Sequence, residues 1–300
     1  MLTTPKPTFS RLPMTPLSMA LVGLLAIMYG PLLWHWVDGW LQKSISIQHE
    51  YFSHGLLGLP FAAHLAWTQR SQWKALPERT HPAGLGLLGL GAVLYISQLS
   101  DWMNISFPLV LAGLCLSLKG MPGLKLMGFP LVLTVLATPS QLPYLIEPYI
   151  LPLQRFIASV AGFILLQGGI DVTVDQIYLR VNDQMVEVAP HCAGLKMLFT
   201  SLYVSLILIH WTELWRSRLR TGVFLAATVC LSVTGNIIRN ALLSYFHGVS
   251  NKAAFVWLHD SWGGDVYSAV MLLLLIVFVR LVQRYVPERL AMNLETEATV

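Results

Sequence analysis

Three residues far apart in the chain have the side chains that a thiol-dependent peptidase needs: Cys192, Arg239 and His259. A thiol becomes a nucleophile when a base or a cation stabilises its thiolate, a leaving amine needs an acid, and a tetrahedral oxyanion needs donors. In this interpretation Cys192 attacks a peptide carbonyl and forms a thioester acyl-enzyme. His259 is then the general acid and base, and Arg239 stabilises the oxyanion or the thiolate.

Each of these residues also has an ordinary structural role open to it. A lone cysteine at a membrane helix end is usually a small apolar residue, an arginine near a helix end can snorkel to the interface, and His259 can be a surface histidine beside Trp262. Arg239 fits its ordinary role worst, because it lies within an apolar segment, where a charge costs about 3 kcal/mol even on lenient scales.

Three further polar residues are candidates for binding substrate or supporting the site: His54, Asn236 and His191. His191 is adjacent to Cys192, but neighbours on a helix point about 100° apart, so it is a poorer partner than a histidine from another segment. Cys192 precedes a long apolar run and should lie near a helix N-terminus, where backbone N–H groups favour a thiolate.

The composition indicates an integral membrane protein. Of the 300 residues, 55% are hydrophobic and 11% are charged, whereas soluble domains carry about 25% charged residues. The net charge of +4 does not indicate nucleic-acid binding, because the basic residues punctuate apolar segments and form no patch. We therefore expect an all-α polytopic membrane protein with no nucleic-acid partner.

Apolar segments predict about eight transmembrane helices, at 17–37, 53–70, 83–99, 105–118, 126–144, 195–211, 221–245 and 262–282. Residues 149–167 are helical in pattern but contain Arg155, and we interpret them as a re-entrant or interfacial helix. Residues 170–190 alternate apolar and polar around Asn182-Asp183, which predicts a small extracytoplasmic β-hairpin. One catalytic domain then covers 17–284, between cytoplasmic tails at 1–16 and 285–300.

The distribution of basic residues predicts the orientation. With this set of spans, both termini lie in the cytoplasm, and so do most of the 19 Lys and Arg residues, as the positive-inside rule requires. Cys192, Arg239 and His259 then all lie at the outer face, on three different spans or their ends.

Several motifs resemble the exosortase/archaeosortase family. They are Cys192-Ala193-Gly194-Leu195, Asn236-Ile237-Ile238-Arg239, and His259 followed by Gly263-Gly264. Tyr51-Phe52-Ser53-His54-Gly55 is similar to the family's Tyr-Ser-His-Gly element, with one residue inserted. The chain departs from the family at Ala193, which is often Ser there, and at Pro190-His191, where small residues are usual. The resemblance runs from about residue 45 to 282.

The resemblance implies a membrane cysteine protease or transpeptidase of the bacterial inner membrane, with its active site facing the periplasm. Its nucleophile would be Cys192, with Arg239 and His259 as partners, and it would need no cofactor or metal. The implied substrates are exported proteins with a C-terminal Pro-Glu-Pro-like (PEP-CTERM) motif, a transmembrane helix and a basic end. Membrane lipid is the other expected partner.

Two other classes of protein remain open from the sequence. A membrane transporter or channel would fit the short predicted second and fourth spans, because discontinuous helices often mark a transport pathway. A metal-binding protein could use Cys192, His191 and His259, although the sequence lacks the closely spaced ligand pairs of a zinc site.

Overall fold

The computed structural model describes residues 16–41, 51–189, 194–259 and 261–288, which are mostly helical. The predicted tails at 1–16 and 285–300 therefore fall almost entirely outside the described residues. In chain order the helices are α1 (Pro16–Leu41), α2 (Gly55–Thr68), α3 (Arg70–Ala75), α4 (Pro82–Ile96), α5 (Ser100–Leu126), α6 (Gly128–Ala137), α7 (Leu142–Ile146), α8 (Leu151–Gln167), α9 (Leu195–Trp211), α10 (Arg218–Gly248), α11 (Lys252–His259) and α12 (Trp262–Tyr285). Three strands lie between α8 and α9: β1 (Val172–Asp175), β2 (Tyr178–Val181) and β3 (Gln184–Glu187).

The polytopic, helical prediction is confirmed, but the count of eight spans is not. Among the described residues, four helices are long and apolar enough to cross a membrane: Met19–Leu41, Ser100–Leu126, Arg218–Gly248 and Trp262–Tyr285. Four other apolar helices, α4, α6, α8 and α9, have 10–17 residues. A 10-residue helix is about 15 Å long, half of a hydrocarbon core of about 30 Å. Hydrophobic runs in the sequence therefore do not correspond one to one with long helices.

The predicted break between the spans at 105–118 and 126–144 is present, but helical structure continues on both sides of it within α5. α5 begins at Ser100 and ends at Leu126, and Gly120 has non-helical backbone angles (φ +62°, ψ −153°), so two helices meet there at a kink. Lys119, the residue before the kink, is buried, and its Nζ donates to the Leu76 carbonyl at 2.8 Å. A lysine that resembles a loop residue in sequence therefore lies at the end of a helix, where a carbonyl binds its ammonium group.

The predicted hairpin is confirmed, and a third strand extends it. The strands form one antiparallel sheet in the order β1-β2-β3. Asn182 and Asp183 join β2 to β3 with φ values of +47° and +65°, the left-handed conformation that tight hairpin turns require. The sheet packs on α8 and α10 through a shared buried cluster that includes Leu179, Val181, Val188, Ile157, Ala161 and Ile237. That packing fixes the position of the sheet relative to α8 and α10.

A buried polar stripe runs along α10 at four-residue intervals and includes Thr228, Ser232, Asn236, Asn240 and Ser244. Residues four apart lie on neighbouring turns of one helix face. Small polar side chains allow close helix contacts in membranes, and the Thr228 Oγ1 lies 2.8 Å from the Ser205 Oγ of α9. The stripe therefore sets the rotation of α10 and turns Asn236 towards the protein interior.

Candidate active site

The segment that carries the predicted nucleophile is anchored on both sides. Cys192 and His191 lie outside the described residues. On the N-terminal side, the Val188 N–H donates to the Ile177 carbonyl at 2.8 Å, and the Gln154 Nε2 of α8 donates to the Val188 carbonyl at 2.8 Å. On the C-terminal side, Gly194 is the N-cap residue of α9. The sheet and α9 thus confine the two ends of this short segment.

Gly194 is in direct contact with the motif that carries Arg239. It has a φ of +84°, and a Cβ added to it would lie 2.6 Å from the Asn236 Cγ and 2.8 Å from the Asn236 Nδ2. Both facts require glycine here, because other residues are strained at this φ and no side chain fits. Asn236 therefore packs against a residue only two positions after Cys192.

We expect Gly194→Ala to lower processing activity about 100-fold, because the new methyl group must push apart the start of α9 and Asn236, and sub-ångström misplacement at a reacting centre has effects of this size. The measurement is the rate at which purified membranes process a substrate.

The matched control is Gly222→Ala, within α10. A Cβ at Gly222 meets no atom within 4 Å, and alanine is the better helix former. Equal activity of the Gly194 and Gly222 variants would contradict this account of the site.

Asn236 is a buried amide with no hydrogen bond from its side chain. It is 1% exposed, and neither its Oδ1 nor its Nδ2 has a partner among the described residues. Its backbone carbonyl, by contrast, accepts a bond of 2.9 Å from the Asn240 Nδ2. An unsatisfied buried polar group costs about 1–3 kcal/mol, so Asn236 is unfavourable here unless a partner from beyond the described residues bonds to it.

Arg239 lies one turn after Asn236 and is half-buried. A Cβ added to Gly264, near the start of α12, would be 4.0 Å from its Nη2. Within the described ranges its guanidinium makes no hydrogen bond or ion pair, and its charge acts on the nearby Tyr267 hydroxyl. A guanidinium in an apolar helix is a functional candidate.

His259 ends α11 and is also half-buried. Its ring stacks on that of Phe255, with centroids 5.2 Å apart and an interplanar angle of 10°, and it takes part in further contacts. It precedes Gly264, the residue beside Arg239, by only five positions. The connection between α11 and α12 therefore carries His259 to the end of α10 where Arg239 lies.

His54 belongs to a different set of contacts. It is 4% exposed, its Nε2 donates to the Leu136 carbonyl at 3.0 Å, and its ring lies 4.4 Å from that of Tyr203. His54 immediately precedes α2, and these contacts join the start of α2 to α6 and α9.

The first residues of the same motif approach the site more closely. Tyr51 and Phe52 share a buried cluster with Ile150 and with Leu195, the first residue of α9. Leu195 lies three positions after Cys192. The Tyr51–His54 motif thus contacts the start of α9 through Tyr51 and Phe52, and α6 through His54.

The sequence analysis did not single out Tyr267, which the structure places beside Arg239. Its hydroxyl donates to the Gly235 carbonyl at 2.5 Å and so ties α12 to α10 one residue before Asn236. The available signal was a tyrosine one turn after Gly264 in an otherwise apolar span. In the part of the chain that the structure describes, no group of three His, Cys, Asp or Glu residues could hold a metal ion.

The comparisons with known proteins address the family directly. The family model described as transmembrane exosortase matches residues 36–276, about four fifths of the chain, and this range includes every candidate residue above. No curated protein and no solved structure matches the chain. Because the match covers far more than half of the sequence, the chain belongs to the transmembrane exosortase family.

Proposed function

We propose that this protein is a membrane-embedded cysteine protease or transpeptidase that cleaves the C-terminal sorting signals of exported proteins through a thioester acyl-enzyme. One observation carries the proposal beyond family membership. Asn236, whose side chain has no partner among the described residues, lies against Gly194, two positions after Cys192, and Arg239 follows one turn later. A buried polar group without a partner and a charged group close together in an apolar protein are typical of a functional site.

Cys192, Arg239 and His259 divide the chemistry as follows. The Cys192 thiolate, stabilised by Arg239, forms a C–S bond to the scissile carbonyl carbon, and the thiol proton passes to His259. His259 returns that proton to the leaving nitrogen as the C–N bond breaks, which leaves a thioester. Water, or an amine acceptor, then attacks the thioester and releases the new C-terminus. His191 and His54 are supporting residues in this scheme.

The substrates in this proposal carry a Pro-Glu-Pro-like motif, a transmembrane helix and a basic tail. A basic tail stays in the cytoplasm by the positive-inside rule, so the motif before the helix emerges at the outer face. Cleavage there requires a nucleophile at the outer end of the enzyme's helices, and the proposed orientation assigns Cys192 to that end. Membrane lipid surrounds both proteins.

The proposed topology has eight crossings, an interfacial α8, cytoplasmic tails at 1–16 and 285–300, and a single catalytic domain at 17–284. We place it in the bacterial inner membrane with the sheet and the active site in the periplasm. Pairing of short helices supports the higher count, since α2 lies against α6 and α4 against α5. Arg155 of α8 donates to the Gln176 side chain of the sheet at 3.2 Å, which suits a helix beside the headgroups.

Among the described residues, the cavity between α1, α2, α5 and α6 does not favour a transporter or channel. It has a volume of about 550 Å³ and an almost wholly apolar lining that includes Leu33, Leu59, Phe107, Leu111 and Leu131. A route for ions or polar solutes needs polar or charged lining groups, and this cavity does not supply them.

Co-expression with an exported protein that bears such a tail tests the proposal. We expect loss of the tail and a new C-terminus near the Pro-Glu-Pro-like motif, measured by the intact mass of the product. A mass equal to that of the free acid indicates hydrolysis, and added mass on the carboxyl group indicates transfer to an amine acceptor. An unprocessed tail in the presence of active enzyme would contradict the proposed substrate class.

A further inference from the structure

We propose that Asn236 binds the carbonyl oxygen of the scissile peptide: its Nδ2 donates to that oxygen, together with backbone N–H groups at the start of α9. The inference rests on the proposed function and deepens it. In this arrangement Arg239 stabilises the Cys192 thiolate. Asn236, one turn earlier on α10, is the neutral hydrogen-bond donor to the developing oxyanion.

The Asn236 side chain has no hydrogen-bond partner among the described residues. Elsewhere in the described chain, the buried residue Asn104 shows what an asparagine with a structural role does: its Oδ1 accepts from the Trp36 Nε1 at 2.7 Å and its Nδ2 donates to the Pro139 carbonyl at 3.1 Å. Asn236 is at least as buried, at 1% against 6% exposure, yet its side chain makes neither kind of bond. Buried amides are almost always bonded, so an amide with no partner among the described residues is available to a bound substrate.

The Asn236 amide also lies at the start of a helix. Its Nδ2 lies beside Gly194, the N-cap residue of α9, which supplies no side chain to cap the helix. The Leu198 N–H is bonded to the Gly194 carbonyl, and the N–H groups before it point out of the helix end. Backbone N–H groups of this kind, aided by the helix dipole, stabilise negative charge. The Asn236 amide and the N–H groups at the start of α9 could thus both donate hydrogen bonds to an oxygen bound beside Gly194.

The location of the Asn236 amide also suits the chemistry of the reaction. The position lies next to a residue two places after Cys192, and a carbonyl under attack by that thiol develops its negative charge within hydrogen-bonding reach of the nucleophile's own backbone. A planar amide donor there binds the oxyanion without a change in net charge. Catalytic hydrogen bonds often become short and well aligned only in the complex with substrate, so we expect this bond when substrate is bound.

The experiment uses the full chain in membranes, in a Cys115→Ala and Cys230→Ala background so that Cys192 is the sole thiol. The variants are Asn236→Leu, which has nearly the same shape, and Asn236→Ala, which relieves any crowding against Gly194. Asn104→Leu is the matched control, with the same substitution at a bonded asparagine. Three quantities are measured for each: the single-turnover rate with a tail-bearing reporter, the rate of Cys192 alkylation by iodoacetamide, and the apparent melting temperature.

We expect both Asn236 variants to process the reporter about 100- to 1000-fold more slowly, the usual effect of removing one oxyanion donor. Alkylation of Cys192 should stay within about twofold, because attack on iodoacetamide forms no oxyanion. The melting temperature of Asn236→Leu should be unchanged or higher, because an unsatisfied amide is removed. Asn104→Leu should instead melt roughly 5 °C lower, because it leaves the Trp36 N–H unpaired.

Three outcomes would overturn the inference. Processing within threefold of the parent would remove Asn236 from the reaction. A parallel fall in alkylation would make Asn236 a positioning residue for the thiol. A melting temperature that drops as far as that of Asn104→Leu would make it structural. Failure of the proposed function is distinguishable, because the parent enzyme would then leave the reporter unprocessed, or Cys192→Ala would still process it in the same assay.

Discussion

Cys192→Ala is expected to abolish processing of a tail-bearing substrate while the protein still inserts in the membrane. Removing the nucleophile of a covalent mechanism lowers turnover on the order of a million-fold, so no cleaved product should be detected. The measurement is the fraction of reporter cleaved during co-expression, with the enzyme level followed in the membrane fraction.

Cys115→Ala and Cys230→Ala are the matched controls, because Cys115 is buried in α5 and Cys230 lies on the exposed side of α10. Both should keep processing within a few fold. With Cys192 as the sole thiol, a membrane-impermeant maleimide added from outside should label it. Full processing by Cys192→Ala would end the nucleophile assignment, and protection from the external reagent would contradict the proposed orientation.

Arg239→Ala is expected to lower processing by about 100- to 1000-fold, the effect of removing one charge-stabilising donor from an active site. Arg239→Lys should not restore activity if planar, two-pronged contact matters, because an ammonium group cannot reproduce the guanidinium geometry. The assay is the same single-turnover rate, with iodoacetamide alkylation of Cys192 measured in parallel. Loss of the cation should also slow alkylation, because less of the thiol is ionised.

Arg220, on the same helix, is the control for a general effect of charge. Its guanidinium donates to the Val286 carbonyl at 2.9 Å and pairs with Glu288 at 3.2 Å. The Arg239 guanidinium has no such partners within the described ranges. Arg220→Lys should process the reporter within about threefold of the parent. Normal processing by either Arg239 variant would remove Arg239 from the mechanism.

The sequence was informative wherever a local rule has few exceptions. An Asn-Asp pair between alternating residues predicts a hairpin turn, and the φ values at Asn182 and Asp183 agree. An arginine inside an apolar run predicts a special environment, and Arg239 has no ion pair among the described residues. Helix boundaries were harder to predict. Residues 118–126 have the composition of a turn, and the chain does kink there, at Gly120, but helical structure resumes after the kink and continues to Leu126.

The partition of the polar residues required the three-dimensional structure. His54, Asn236 and Asn104 all appear in sequence as polar residues in or beside apolar runs. Hydrogen bonding separates them: His54 bonds to α6, Asn104 is fully bonded, and the side chain of Asn236 is not bonded at all. Composition and periodicity carry no information about such bonds, because each depends on a partner many residues away.

By itself, the sequence determined that this is a polytopic helical membrane protein with the exosortase motifs in order, because hydrophobicity and residue type are local properties that the bilayer selects strongly. Tertiary structure alone decided which motifs touch. The contact between Gly194 and Asn236 exists because β3 anchors one end of the Cys192 segment, the polar stripe sets the rotation of α10, and a glycine with φ +84° leaves room for the amide. These are packing constraints among distant segments, and they are satisfied only when the whole fold is present.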